Sequence, residues 1–231
     1  MLRVFCARSM YVAVSALAQQ LQVRSGLAAD LVFEPMGLLQ RRLDAGESAD
    51  VLILGAPAID ALARSGALIF DSRVDVARAP IGIAIREGTP APDVSTPVTF
   101  RAALIAAHTI ALSDPAVGGS AGIYLRDLFA RMGLAELIAA KTVAQRSGVA
   151  AADAVGRGDA ELAITFVPEL LQGRGTRVVG SLPSPYDHAT TYAAGVSAHT
   201  ELLDAARMFI AALTAPDARH VWVAVGFEVD L

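Results

Sequence analysis

Short apolar runs alternate with stretches whose apolar residues recur at helical spacing, and the alternation continues along the chain. Residues 2–7 (LRVFCA) read as a buried strand, and residues 10–24 as a helix with Val12, Leu17 and Leu21 at helical spacing. A second strand at 31–33 precedes a helix at 38–45 that stops at Gly46. The fully apolar VLIL at 51–54 precedes a helix at 58–64 that stops at Gly66. This β-α-β-α-β order predicts a parallel sheet with helices on both faces. Right-handed crossovers then place every loop that leaves a strand's carboxyl end on the same rim.

Residues 79–85 (APIGIAI) form an apolar strand with no helix of comparable length before it. The Pro-rich stretch 87–97 reads as a surface loop ahead of a helix beginning near Thr99. A second set follows: strand 109–112, helix 121–132, short strand 142–143, helix 149–157 and strand 162–166. Strands at 177–179 and 190–196 and two terminal helices around 201–214 and 217–225 complete the chain. The expected fold class is α/β, with two lobes that are each a mainly parallel sheet flanked by helices. If each set is a lobe, both rims of strand ends can face one cleft, the favoured ligand position in open α/β sheets.

Composition narrows the function classes. The chain has 231 residues, 54% of them apolar and 18% charged, which is enough to bury a sizeable core. Its net charge is −4 and Lys141 is its only lysine, so the basic stripe that nucleic acid requires is missing. The mean hydropathy is +0.49, but the longest apolar runs, 79–85 and 221–227, are far shorter than the roughly 20 residues of a spanning helix. No direct membrane insertion is expected. The single cysteine, Cys6, excludes an internal disulfide and reads as a small apolar residue in a buried strand. No leader pattern precedes the first strand. The expected compartment is therefore the cytoplasm for the chain as it stands, or the periplasm if a leader is removed from the full gene product.

The order of elements and four stretches resemble the type II solute-binding proteins of ABC transporters, in particular the molybdate-binding branch. These stretches are LRVFCARSMYVAVSALAQQL, QRRLDAGESADVLILGAPAIDALARSGAL, SDPAVGGSAGIYLRDLFARMGL and GRGDAELAITF. The resemblance covers nearly the whole chain. It implies a type II periplasmic-binding-protein fold, with residues 1–78 and 196–231 in one lobe and 79–195 in the other. Two crossing strands, near 79–82 and 191–196, would form a hinge suited to closure on a ligand. The implied partner is a small anionic solute and, if the protein is exported, an ABC-transporter membrane subunit.

Three helix beginnings are candidate anion sites, because free N–H groups there favour negative charge. Ser9 follows the first strand, and an ordinary N-cap serine would look the same. Gly119, Ser120 and Ala121, preceded by Gly118, open the helix of the second set, where glycines let backbone approach a ligand and Ser120 either binds or caps. Arg146, Ser147, Gly148 and Val149 form the third beginning and correspond to the family's loop that donates backbone N–H groups.

The chain departs from the molybdate pattern at two positions. The second-strand loop carries Met36 and Gly37 where the family has a ligand-binding serine, and Phe166 stands where it has a ligand-contacting tyrosine. Two arginines, Arg8 and Arg146, lie next to the expected site. Arginine pairs bidentately with carboxylates, so an organic carboxylate is favoured over a molybdate-type oxyanion. A solvated surface role for each arginine is the alternative.

The DPAVGGSAGIY form of the motif is also similar to a sub-branch that contains aconitate isomerase, a cofactor-free double-bond isomerase of a tricarboxylate. That chemistry requires a base and an acid in a water-poor site. Glu34, Asp114, Tyr11, Tyr124, Tyr192 and His188 are the candidate proton carriers, although Asp114 also reads as a turn former, Tyr124 as a core aromatic and His188 as a solvated loop residue. No catalytic residue is assigned. No cofactor is expected: the four histidines lack metal-ligand spacing, and the sequence shows no Gly-Lys-Ser/Thr phosphate loop, no Gly-x-Ser-x-Gly elbow and no GxGxxG after the first strand.

Overall fold

The structure is a computed structural model that describes residues 1–117 and 119–229. The chain forms two compact units, Met1–Ala79 with Thr190–Leu231, and Pro80–Ala189.

In the first unit, β1 (Leu2–Ala7) pairs in parallel with β2 (Ala29–Glu34) on one side and β3 (Val51–Gly55) on the other. The last strand of this unit, within β9 (Ala189–Val196), pairs antiparallel with β3. Helices α1 (Tyr11–Ser25), α2 (Met36–Asp44) and α3 (Ala56–Arg64) connect these strands, and α9 (Leu203–Thr214) and α10 (Arg219–Ala224) pack against α1. β3 is buried at every position, as its uninterrupted VLILG requires. Phe5, Leu52 and Leu54 meet Leu39 of α2 and Ile59 of α3 in one apolar cluster. A short 3-10 turn, Arg8–Met10, separates β1 from α1, so the first helix starts one residue later than the apolar spacing predicts.

In the second unit, β5 (Ile110–Ser113) pairs in parallel with β6 (Thr142–Gln145) and β7 (Leu162–Phe166). The later half of β4 (Val74–Arg86) pairs antiparallel with both β7 and β8 (Thr176–Ser181). The sheet is therefore mixed, where the helix–strand alternation predicts a mainly parallel one. A strand that enters from the other unit, followed by a return without a crossover helix, runs against its neighbours. Helices α4 (Pro97–Ala106), α5 (Ser120–Arg131), α6 (Ala135–Lys141), α7 (Gly148–Arg157) and α8 (Val167–Leu170) complete the unit. The alanines of α7 lie against Ala84, Ala111 and Ala163, small side chains on both sides that let helix and sheet approach closely.

β4 starts five residues before the predicted 79, because 74–78 alternates and is only partly apolar. The short helices α6 and α8 lie in stretches that the periodicity leaves unassigned. No helix among the described residues is long and apolar enough to cross a membrane.

At the start of α4, the Thr96 side chain accepts from the Thr99 N–H, and the Thr99 hydroxyl in turn accepts from the Thr96 N–H, with Pro97 at the first helical position. Thr96→Ala is expected to lower the unfolding free energy by about 1 kcal/mol. The readout is a shifted urea midpoint with unchanged slope.

Candidate functional site

In the first unit the carboxyl ends of the parallel strands lie in register, Ala7 opposite Glu34 and Cys6 opposite both Phe33 and Ile53. The loops after β1, β2 and β3 therefore leave from one rim, and Tyr192 of β9 stands opposite Gly55 there. Ser9 is buried, but it does not cap α1. Its hydroxyl donates to the Tyr192 phenolic oxygen at 2.7 Å. Met36 opens α2, and its sulfur accepts from the Gly55 N–H at 3.1 Å, so a thioether fills the space at the start of α3. Gly37 follows it, half-buried.

Glu34, at the end of β2, is gripped by Arg42 through two hydrogen bonds, Nε to Oε2 at 3.0 Å and NH2 to Oε1 at 2.5 Å. Arg42 also bonds Glu47. The hydrogen bonding from Arg42 holds the Glu34 carboxyl below its ordinary range, with the charges of Arg42 and Arg8 acting in the same direction against partial burial. Arg8 itself is exposed, and its guanidinium makes no hydrogen bond or ion pair among the described residues. Burial pushes the Cys6 thiol well up, so it stays protonated and inert.

In the second unit Ser113 stands opposite Gln145, so β5 and β6 end together, and β7 runs parallel beside them. α5 begins beyond β5 at Ser120, with Gly119 as N-cap and no side-chain cap; Ser120 is half-buried and Ala121 buried. Gly118 lies outside the described residues. α7 begins beyond β6 at Gly148, and Ser147 accepts from the Ala150 N–H at 3.2 Å as an ordinary N-cap. Val149 is half-buried, and Arg146 is exposed with no hydrogen bond or ion pair among the described residues. Phe166 closes β7 and is 3% exposed, so its ring belongs to the core.

The candidates thus gather on two rims. Arg8, Ser9, Met36 and Gly37 share the rim of the first unit. Gly119, Ser120, Ala121, Arg146, Ser147, Gly148, Val149 and Phe166 lie at the strand ends of the second.

Among the proton-carrier candidates, Asp114 accepts from the Ala116 N–H at 2.8 Å, the expected turn. Tyr11 is half-exposed and packs edge-on against Phe33. His188, expected in solvent, is half-buried and stacks on Tyr124 at 4.0 Å, whose hydroxyl donates to the Tyr186 carbonyl.

One group escapes sequence reasoning. Glu169 of α8 is buried, accepts from the Thr165 hydroxyl at 2.6 Å and lies directly against Gly148, where any side chain would overlap both groups. α7 therefore meets a carboxylate of its own chain at its first turn. The four-residue helix that carries Glu169 has no periodicity to reveal it.

Both units carry the layers of the type II periplasmic binding proteins. Residues 2–228 match the family described as bacterial extracellular solute-binding protein, and the chain belongs to it. It is 32% identical over 212 residues to an aconitate isomerase of a Pseudomonas species, across 89% of this chain and 79% of that protein. It is similar in structure to the periplasmic molybdate-binding protein of Azotobacter vinelandii, with TM-score 0.81, 18% identity and 100% of both chains covered. It is likewise similar to the sulfate-binding protein SubI of Mycobacterium tuberculosis, with TM-score 0.76, 17% identity and 99% and 87% of the two chains covered. At those identities the structural likeness concerns the fold alone.

The Glu34–Arg42 pair makes a pH-dependent contribution to stability. The folded carboxyl titrates below its unfolded value of about 4.3, so the contribution is present above that pH and lost as pH falls through the folded value. Glu34→Gln is expected to destabilise the protein most near neutral pH and least at the acid end. Urea midpoints of both proteins across pH test this, and a constant difference would exclude it.

Proposed function

We propose that this chain is a solute-binding protein for a small organic carboxylate. What carries this reading is the pair of uncommitted guanidiniums, Arg8 and Arg146, each set directly after the carboxyl end of a parallel strand. A planar guanidinium matches a carboxylate with two parallel hydrogen bonds, and helix starts beside it add N–H donors. The molybdate- and sulfate-binding structural relatives support a small anion by their names. Met36 and Phe166, which offer no neutral hydroxyl, support a carboxylate in place of a tetrahedral oxyanion. In this reading the protein works in the periplasm and hands its solute to an ABC-transporter membrane subunit.

The direct test is thermal unfolding with citrate, trans-aconitate, succinate, molybdate and sulfate. A ligand at 100 times its Kd adds about 2.7 kcal/mol of stability. We expect a carboxylate to raise Tm, and Arg8→Gln and Arg146→Gln to weaken its binding at least tenfold while leaving the unliganded Tm in place. A shift with molybdate or sulfate alone would overturn the carboxylate preference, and no shift with any of them would overturn anion capture.

A second reading is favoured by one observation, the 32% identity to an aconitate isomerase across most of the chain. Moving the double bond of a tricarboxylate requires removing one allylic proton and delivering another, with no cofactor. The Ser9–Tyr192 hydroxyl pair is a better proton carrier here than Glu34, which Arg42 holds ionised. Incubation with trans-aconitate, followed by proton NMR, should then give cis-aconitate at a rate that Tyr192→Phe lowers at least a hundredfold. Binding of trans-aconitate without turnover would remove this reading and leave the first.

A further inference from the structure

Ser113 is the last residue of β5 and is 4% exposed, yet its hydroxyl has no hydrogen-bond partner among the described residues. Buried hydroxyls are ordinarily paired, and an exception in a folded protein calls for a reason. The surroundings supply one. The hydroxyl oxygen lies 3.7 Å from the place that a Cβ on Gly119 would occupy and 3.1 Å from that of a Cβ on Gly122. Among the described residues, and apart from Gly119's own chain neighbours, it is the one atom within 4 Å of the Gly119 position, so the hydroxyl faces the start of α5.

The same two glycines frame the first turn of α5, a helix of 12 residues with no side-chain cap. The Ile123 N–H bonds the Gly119 carbonyl, so the N–H groups of Ser120, Ala121 and Gly122 precede the helix's own hydrogen-bond ladder. Amides that precede the helix ladder, the positive end of the helix and a hydroxyl unpaired among the described residues thus meet at one place. An oxygen atom drawn to the amides and seated beside Gly119 comes within reach of the Ser113 hydroxyl, which then acquires its missing acceptor. α7 offers no such arrangement, because Ser147 caps it and Glu169 lies against Gly148.

We propose that Ser113 is a specificity-determining donor of the anion site, its hydroxyl pairing with a carboxylate oxygen held at the start of α5. This rests on the carboxylate-binding reading above. The Ser113 hydroxyl donates one hydrogen bond to an anionic oxygen beside the amides of α5, and a carboxylate presents such an oxygen.

The test is isothermal titration of the intact protein with citrate and trans-aconitate, paired with unliganded Tm, for the wild type, Ser113→Ala and Gly119→Ala. Ser113→Ala should weaken binding about tenfold while the unliganded Tm holds or rises, because an unpaired buried hydroxyl is removed. Gly119→Ala should set a methyl group beside the hydroxyl at the helix start and weaken binding more strongly, with little change in unliganded Tm. A merely structural serine would give the opposite pattern, a lowered Tm with unchanged affinity, and that result overturns the proposal. Equal binding by wild type and Ser113→Ala also overturns it while leaving carboxylate capture standing. Failure of the wild type to bind either acid overturns the underlying reading and this one with it.

Discussion

A strand layer covered on both faces can place its polar chemistry only at the strand ends. β3 and β7 are buried at every position, and a polar group left there without a partner is costly. The buried polar and charged residues among those described obey this constraint. Ser9, Ser113, Thr165, Glu169 and Ser197 all lie within three residues of the end of a strand. The candidate site is therefore less a choice of residues than a consequence of how an apolar parallel layer terminates. Helices begin where such strands stop, so hydroxyls and bare N–H groups arrive together.

Charge is handled locally within this frame. The chain carries a net −4, yet its strand ends hold exposed cations, and net charge says little about the potential at a particular concave place. Two carboxylates that would repel an incoming anion are compensated within their own units. Arg42 holds Glu34 in a two-pronged grip, which leaves the nearby Arg8 uncommitted. Glu169 sits under the first turn of α7, where the helix's positive end favours negative charge, and Thr165 donates to it. The starts of α5 and α7 are consequently unequal, α7 met from inside by a carboxylate and α5 without a side-chain cap.

The fold class was legible because it depends on periodicity. Runs such as VLIL at 51–54 and LAITF at 162–166, too short for a buried helix and flanked by helical stretches, read as strands covered on both faces, and the helices between them set the crossovers. What periodicity cannot convey is strand direction where no helix intervenes, so the antiparallel entries of β4, β8 and β9 were illegible. α8 spans barely one helical turn and α6 about two, too few for a periodic pattern to stand out, which hid both. For the candidate site, residue types at strand ends could be named in advance, but not their partners. Ser9 looks like an N-cap in sequence, and only packing shows its hydroxyl spent on Tyr192, 183 positions away. Met36 looks like a lost donor, and packing shows its sulfur seated on the Gly55 amide.

Capture and isomerisation ask the same first thing of these groups, that carboxylates be held in a fixed orientation. They part at the proton. A binder is best served by donors that never exchange one, whereas an isomerase requires a carrier that gives and takes at nearly equal cost. Most acids and thiols near the first rim are disqualified by their surroundings. Glu34 is too well stabilised as a carboxylate to be a strong base, and Cys6 is too deeply buried to ionise. The Ser9–Tyr192 pair differs, because two hydroxyls in contact can relay a proton without either becoming a strong base on its own. In the isomerase reading, the step from holding an acid to transforming it would turn on that pair of oxygens, which joins the end of β1 to β9, more than on the donors that bind the acid.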